Sequence, residues 1–537
     1  MAALSHLWST RRRPLLACAA LLVVLVSAGV GSAVAANPSP QGLVTPVVDC
    51  AGLLGEDFTH VPDAPSRLVS ATVDQANGQA YCDVWGYTSP QTYFEVKLPT
   101  TNWHGDYLQE GCGGFCGQGP LTNLPGASAG CAPATNGELV LAADDEGHLT
   151  SSGVDGLWAR DDPALRLVFG RTSEHSLAKV AKALIQRYYD RPVAHSYFDG
   201  CSDGGREALM LAQRYPTDFN GIIAGAPAQN WAPLGGFYET WLARANTGAD
   251  GYQVLTQEKL PALHAAVVKA CGNADGVIAD PRKCAFDPGT LTCPAGQDKA
   301  TCLTPAQVKT VRELYQGPRD PAGRSLYNGG EPYGSELAWQ DWLVKPAADT
   351  AAPGDTEAGQ LALNYLKYMA FTDNPPDSFT LKDLPFTDAE FAKLEKLGKT
   401  LYDANDPDLS AFAAHGGKLI IYHGWADQAI SPWSTLDYYA QVERTAGGFA
   451  ASQRFTRLYM VPNGNHCLTG PDNTVNLDLL TPLMNWVTKG AGPGAVAAPI
   501  TWTKGAVTRQ TVRPYNALTP VTPAPGSLNG HYDYIGN

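Results

Sequence analysis

Apolar and polar positions change period several times along the chain. Gln91–Leu98 (QTYFEVKL) alternates with a period of two, as a half-buried strand does, and Gly137–Ala142 (GELVLA) predicts a second strand. Residues 173–190 place Leu177, Val180, Ala181, Leu184, Ile185 and Tyr188 on one face at helical spacing. Arg191-Pro192 ends that helix and Val193–Phe198 reads as a strand. A helix starting at Gly204 or Gly205 then carries Ala208, Leu209, Leu211 and Ala212. Later, Lys418–Tyr422 (KLIIY) and Phe455–Val461 (FTRLYMV) are short apolar strands, each followed by a loop, and Asn476–Val487 predicts a closing helix. Strands alternating with helices predict an α/β fold: a mostly parallel sheet with helices on both faces.

Between Gln229 and Ala414 the texture changes. Trp, Tyr, Gly and Pro crowd together, Cys271, Cys284, Cys293 and Cys302 appear, and strand alternation is lost. This predicts an inserted domain of helix and loop, 229–414, separating two parts of one core, 37–228 and 415–537. No internal repeat is visible, and the Pro-rich tail from Ala517 is expected to be peripheral. At the N-terminus a basic stretch ending at Arg13 precedes LLACAALLVVLVSAGVG and then SAVAA. That layout predicts a cleavable export signal over 1–36. The competing reading, an uncleaved anchor, fits less well with so short an apolar run and its small-residue exit. No later stretch is apolar enough for a membrane span, so no membrane association is expected after cleavage.

Composition narrows the classes further. The 537 residues carry a net charge of −14, and the one tight basic cluster, Arg11-Arg12-Arg13, lies in the signal. A nucleic-acid binder would carry a basic stripe on its folded part. Twelve cysteines suit an oxidising compartment and an exported protein.

G-x-S-x-G occurs twice, around Ser128 and around Ser202. A serine nucleophile on a sharp turn needs a strand before it and a helix after it. Ser202 has both. Ser128 sits among Pro, Gly and Ala and reads as a turn serine. A hydroxyl nucleophile also needs a base oriented by a carboxylate. In α/β-hydrolases these follow in the order Ser, Asp or Glu, His, each at the carboxyl end of a strand. Strand 418–422 runs into His423-Gly424-Trp425-Ala426-Asp427, and strand 455–461 into Asn463-Gly464-Asn465-His466. Asp427 and His466 therefore have the right order and position. Cys201 precedes Ser202 and Cys467 follows His466; a bridge between them would hold serine and histidine side by side.

With these motifs in place, the chain resembles the tannase and feruloyl esterase family of α/β-hydrolases. The likeness rests on YFDGCSDGGRE (197–207), GIIAGAPA (221–228), GKLIIYHGWAD (417–427) and PNGNHC (462–467), and it covers most of the chain after the signal. It implies a Ser202–Asp427–His466 triad, a Cys201–Cys467 bridge, an inserted lid with its own disulfides, and hydrolysis of esters of aromatic acids. The oxyanion hole would use the N–H of Asp203 and one from the loop 111–117 (GCGGFCG), with Gly113 favoured and Gly114 next. The same loop lacks the Lys and the glycine register of a phosphate-binding loop. The aromatic residues of the insertion (Trp231, Phe237, Tyr238, Trp241, Trp339, Trp342, Tyr365, Tyr368) are either a stacking lid for a phenolic ring or, for most of them, the insertion's own core.

The chain also departs from that family. Where members commonly carry a calcium loop, it reads Cys271-Gly272-Asn273-Ala274-Asp275-Gly276-Val277-Ile278-Ala279-Asp280, about four residues short. Asp275 and Asp280 are a thin supply for an ion that prefers six to eight oxygens. No cofactor is required by this reading, and a turn closed by Cys271–Cys284 is the alternative to calcium. The expected pairings are Cys201–Cys467, Cys271–Cys284, Cys293–Cys302 and, by the resemblance, Cys50–Cys82. One further bridge falls among Cys112, Cys116 and Cys131. The overall expectation is a secreted serine esterase for a small or polysaccharide-linked aromatic ester, feruloyl-type first. Galloyl or other aromatic monoesters stand as alternatives, as does an exported binding protein on an inactive hydrolase scaffold. Its oligomeric state is open.

Overall fold

A computed structural model describes residues 42–76, 78–117, 121, 126–150, 152–347, 352–529 and 533–536. The expected export signal, 1–36, lies outside the described residues.

Nine strands form the main sheet: β1 (Ser66–Ala76), β2 (Gln79–Thr88), β3 (Thr92–Pro99), β4 (Asp106–Glu110), β5 (Leu139–Asp144), β6 (His195–Cys201), β7 (Gly221–Gly225), β8 (Lys418–Gly424) and β9 (Thr456–Val461). Their spatial order is β1-β2-β3-β5-β4-β6-β7-β8-β9. The first three strands pair antiparallel, β3 meets β5 antiparallel, and every pairing from β5 through β9 is parallel. Because β6, β8 and β9 run the same way, the loops that follow them emerge at one edge of the sheet.

The continuous apolar runs are explained by burial on both faces. Phe198, Ile222, Leu419, Ile421 and Leu458 face one cluster, which takes in helices α1 (Ser173–Tyr189), α2 (Asp203–Arg214) and α4 (Pro432–Thr445). Their neighbours Tyr197, Ile223, Ile420, Tyr422 and Tyr459 face the other, against Leu480, Leu483 and Trp486 of α5 (Leu480–Lys489). Helix α3 (Glu239–Ala245) belongs to the segment between β7 and β8.

That segment is helix and loop, with the helices Leu260–Cys271, Pro305–Gln316, Glu357–Tyr368 and Asp388–Leu401. It is not a body apart. The described residues belong to one compact unit, and the segment's apolar cluster includes Phe115, Ala429 and Ile430 from the loops at the sheet edge and Phe169 from the helical turn that leads into α1.

Several elements differ from the sequence expectation. The strand after Pro192 begins at His195 and runs on to Cys201, directly into Ser202. The closing helix starts at Leu480 rather than Asn476, because Asn473–Val475 pairs with Ile500–Trp502 and Asp478 accepts a hydrogen bond from the N–H of Thr481 at 3.1 Å. The tail is not peripheral. Asn529 is buried; its side chain accepts from the N–H of Tyr333 at 2.7 Å and donates to the carbonyl of Glu331 at 2.7 Å. Its carbonyl accepts from Trp433 Nε1 at 2.9 Å. No helix among the described residues is long and apolar enough to cross a membrane.

Candidate active site

Ser202 stands between β6 and α2 with φ 68° and ψ −119°. This backbone is costly for a residue with a Cβ, and it lifts the hydroxyl above the strand end. The flanking glycines are sterically required. A Cβ on Gly200 would lie 2.4 Å from the Gly204 carbonyl oxygen, and one on Gly204 would lie 2.9 Å from that of Cys112.

Asp427 follows β8 and is fully buried. Its Oδ1 accepts the N–H groups of Ala429 and Ile430, both at 2.9 Å. His466, in the loop after β9, points Nδ1 at both carboxylate oxygens, at 3.1 and 3.0 Å. Burial alone would raise the Asp427 carboxyl. The neighbouring imidazoles of His466 and His423, through electrostatics and hydrogen bonds, outweigh it and hold the group well below the usual carboxylate range.

His423 is the residue the sequence reading passed over. It is fully buried, its Nε2 lies 2.9 Å from the Ile430 carbonyl and 3.2 Å from Asp427 Oδ2, and Nδ1 lies 2.8 Å from Thr435 Oγ1. Two acceptors at Nε2 fix the proton there, so Nδ1 accepts from the threonine hydroxyl. His423 thereby holds the Asp427 loop from behind.

The disulfide between Cys201 and Cys467, with Cα atoms 5.9 Å apart, joins the residue before Ser202 to the residue after His466. Cys50–Cys82, Cys271–Cys284 and Cys293–Cys302 are also bonded. The undecided trio resolves as Cys112–Cys116, leaving Cys131 a buried thiol. That short bridge spans the glycine-rich loop. The loop is further held by Gly204 N–H to the Cys112 carbonyl at 2.8 Å, Cys112 N–H to Glu207 Oε2 at 3.3 Å and Phe115 N–H to the Gly153 carbonyl at 2.7 Å.

A narrow pocket, with a cavity volume of about 40 Å³, opens on Ser202. Gly114, Phe115 and Asp203 form its near wall; Trp231, Leu234, Gly235, Glu239, Trp342, Leu361 and Tyr365 form the rest, with Ala429 and Ile430. Gly114, not the favoured Gly113, is on the wall. The turn places Gly114 at φ +63°, where a Cβ would lie 2.3 Å from the Gly153 carbonyl oxygen, so the loop packs too closely there for any other residue. Of the aromatic residues in the segment, Trp231, Trp342 and Tyr365 line the pocket, whereas Phe237, Tyr238 and Trp339 are core. A larger open cleft, lined by Phe371, Phe379 and Lys393, contains none of these groups.

Ser128 lies in a turn, as expected, but is fully buried there and donates a hydrogen bond to Asp199 of β6, because the loop 126–131 packs under the sheet edge.

Of the two acidic groups considered for calcium, one is already engaged. Asp280 is paired with its neighbour Arg282 at 2.8 and 2.9 Å. The Asn273 side-chain oxygen is taken by the N–H groups of Asp275 and Val277, both at 2.9 Å, so the asparagine itself closes the turn. This disulfide-closed loop instead braces the base: the N–H of Ile278 donates to Asn463 Oδ1, three residues before His466, at 2.9 Å. A second acidic group, Glu146, Asp203 and Glu207 with Cys112 and Cys116, offers no thiolate because its sulfurs are joined, and Asp203 is paired with Arg206.

A mostly parallel sheet with a strand–Ser202–helix elbow and an Asp–His pair at neighbouring strand ends defines an α/β-hydrolase. The comparisons sharpen this. Residues 75–518 match the family model described as tannase and feruloyl esterase, and the chain belongs to that family. It is 33% identical over 482 residues to an uncharacterized esterase from Xanthomonas campestris pv. campestris, covering 82% of this chain and 81% of the relative. It is 31% identical over 492 residues to a mono(2-hydroxyethyl) terephthalate hydrolase from Piscinibacter sakaiensis, covering 80% and 79%. The crystal structure of feruloyl esterase B from Aspergillus oryzae superposes with a TM-score of 0.70 at 25% identity, over 87% of this chain and 95% of that one. The protein is a carboxylic ester hydrolase.

Proposed function

We propose that the protein is an exported serine esterase that hydrolyses esters of aromatic acids, feruloyl-type first, through an acyl-enzyme. The observation that carries this reading is the Cys201–Cys467 bridge. It sets the Asp427–His466 pair beside the Ser202 elbow at the mouth of an aromatic-walled pocket. Ser202 Oγ attacks the ester carbonyl while His466 takes its proton through Nε2. Asp427 orients the ring and stabilises the imidazolium that forms. The N–H groups of Asp203 and Gly114, for which the described residues supply no acceptor, meet the developing oxyanion. His466 then protonates the leaving alcohol, and water activated by the same histidine releases the acid.

Trp231, Phe115 and Trp342 offer flat apolar surface for the acyl ring. Five disulfides suit an exported enzyme. A fluorophosphonate probe should label the native protein and fail to label Ser202→Ala. Methyl ferulate and methyl gallate turnover, measured side by side, then ranks the acyl groups. A protein that resists the probe and hydrolyses neither ester would be a binding module on a hydrolase scaffold.

A further inference from the structure

The acyl pocket contains a carboxyl group that the mechanism above leaves unused. Glu239 is 6% exposed and has no hydrogen-bond or ion-pair partner among the described residues. A buried acid without a partner is costly, so its position needs a reason. The backbone supplies one. Residues 231–245 form one continuous helical run whose middle, Leu234–Tyr238, is a π-type turn. Helical spacing puts both Tyr238 and Glu239 on the face that carries Trp231, Leu234 and Gly235. Of the two, Glu239 lines the pocket, while Tyr238 turns to Glu331, to which its hydroxyl donates at 3.1 Å.

The other polar groups on the wall are donors. Trp231 Nε1, Trp342 Nε1 and Tyr365 Oη are buried, and no group among the described residues accepts from them. The second carboxylate of the wall, Asp203, is already paired with Arg206. No Lys, Arg or His is among the residues lining the pocket. A phenolic hydroxyl both donates and accepts, so it satisfies an acid and one of these donors together. A ring carboxylate, by contrast, would lose its hydration and meet no cation. Burial also pushes Glu239 up to about 8, so near neutral pH it is mostly the uncharged acid, whose carbonyl oxygen accepts from a phenol.

We propose that Glu239 is a specificity-determining residue: it accepts a hydrogen bond from a phenolic hydroxyl on the acyl ring, and the pocket takes phenolic acyl rings over anionic ones. This deepens the aromatic-ester reading and rests on it. The test compares methyl 4-hydroxycinnamate with methyl cinnamate, and methyl 4-hydroxybenzoate with monomethyl terephthalate, in the native enzyme, Glu239→Gln and Glu239→Leu. The native enzyme should favour the hydroxylated ester by about tenfold or more in kcat/KM, because its absence leaves buried groups unpaired. Glu239→Gln, which keeps an acceptor, should retain most of that ratio, and Glu239→Leu should bring it close to one. Each ratio is internal to one variant, so partial loss of folded enzyme cancels. Calorimetric binding of 4-hydroxycinnamate and cinnamate to Ser202→Ala, with and without Glu239→Leu, reads the same preference without turnover. A native ratio near one, a ratio unchanged in Glu239→Leu, or monomethyl terephthalate turned over as well as the hydroxybenzoate would overturn the proposal while leaving the esterase reading intact. Inactivity on all four esters would overturn both.

Discussion

The reacting groups and the acyl pocket meet at Ser202 but are built by different means. Ser202, Asp427 and His466 sit at the ends of β6, β8 and β9 in one run of parallel strands, so backbone pairing and one disulfide fix them. The wall of the pocket away from Ser202 is made of side chains from a segment with no strand of the main sheet, held by packing of Trp231, Leu361 and Tyr365. Short sequence-local signals specify the first region. The second depends on contacts between residues far apart in the chain, which leave no local pattern. The two regions should therefore fail differently: damage to the strand ends should reduce turnover of every ester alike, and damage to the pocket should change which ester is preferred.

The largest effect expected is at the nucleophile. Ser202→Ala should lower turnover of all esters by several orders of magnitude with the fold retained. Ser128→Ala is the contrast within the same region. It leaves Asp199 short of a buried donor, so it should cost on the order of 1 kcal/mol of stability and leave kcat nearly unchanged. Thermal melts and initial rates on both variants check this. Turnover by the first at a tenth of the native rate would remove Ser202 from the nucleophile's role.

The second effect concerns the staple. Cys201 and Cys467 are 266 residues apart, and without their bridge the His466 loop keeps its hydrogen bonds to the Asp427 loop and to Ile278 but is held against the elbow by packing. A displacement of about 1 Å in reacting geometry costs on the order of 100-fold in rate. Cys201→Ala with Cys467→Ala should lower kcat by about that factor while binding of a product-like acid changes far less. Peptide mapping of unreduced enzyme should recover the two cysteine peptides joined; recovering them apart would remove the main reason for placing serine beside histidine.

The same contrast accounts for what could be read from sequence. β6 into Ser202, β8 into Asp427 and β9 into His466 were legible because an apolar run, a glycine turn and the reacting residue lie within about ten positions of one another. β1, β2 and β7 were not picked out. The first two have one face open to solvent and interrupted alternation, and β7 is only five residues long. His423 was in plain view in the motif around Asp427, yet its role depends on Thr435 and the Ile430 carbonyl meeting it in space. Glu239 was not picked out because helical spacing puts it on one face with Tyr238, and only contacts in space decide which of the two meets the pocket and which meets Glu331. Gly114 lies on the pocket wall, packed closely on Gly153, again a contact without local trace.

The smallest effect expected is on stability, and it asks whether the pocket is as dry as its lining implies. Glu239 has a folded-state value raised by burial to about 8, against roughly 4.3 in the unfolded chain. Between these values the native state holds a proton that the unfolded state has lost, so stability falls as pH rises through this window and levels off above about 8. The neighbouring phenols Tyr327 and Tyr365 are pushed up by burial, away from the window, and do not titrate in it. Glu239→Gln removes this one contribution. Whatever the amide costs by itself is independent of pH and cancels from the slope. The melting temperature of the variant minus that of the native protein should therefore climb from pH 5 to pH 8 and then stay constant. Linkage sets an upper bound of about 5 kcal/mol on the climb. Water entering with the ionised carboxylate lowers it, and a few degrees is the expected size. A flat difference from pH 5 to pH 9 would mean that Glu239 is solvated in the free enzyme. A phenolic hydroxyl would then gain little over water at that position, and the pocket would choose its acyl ring by shape alone.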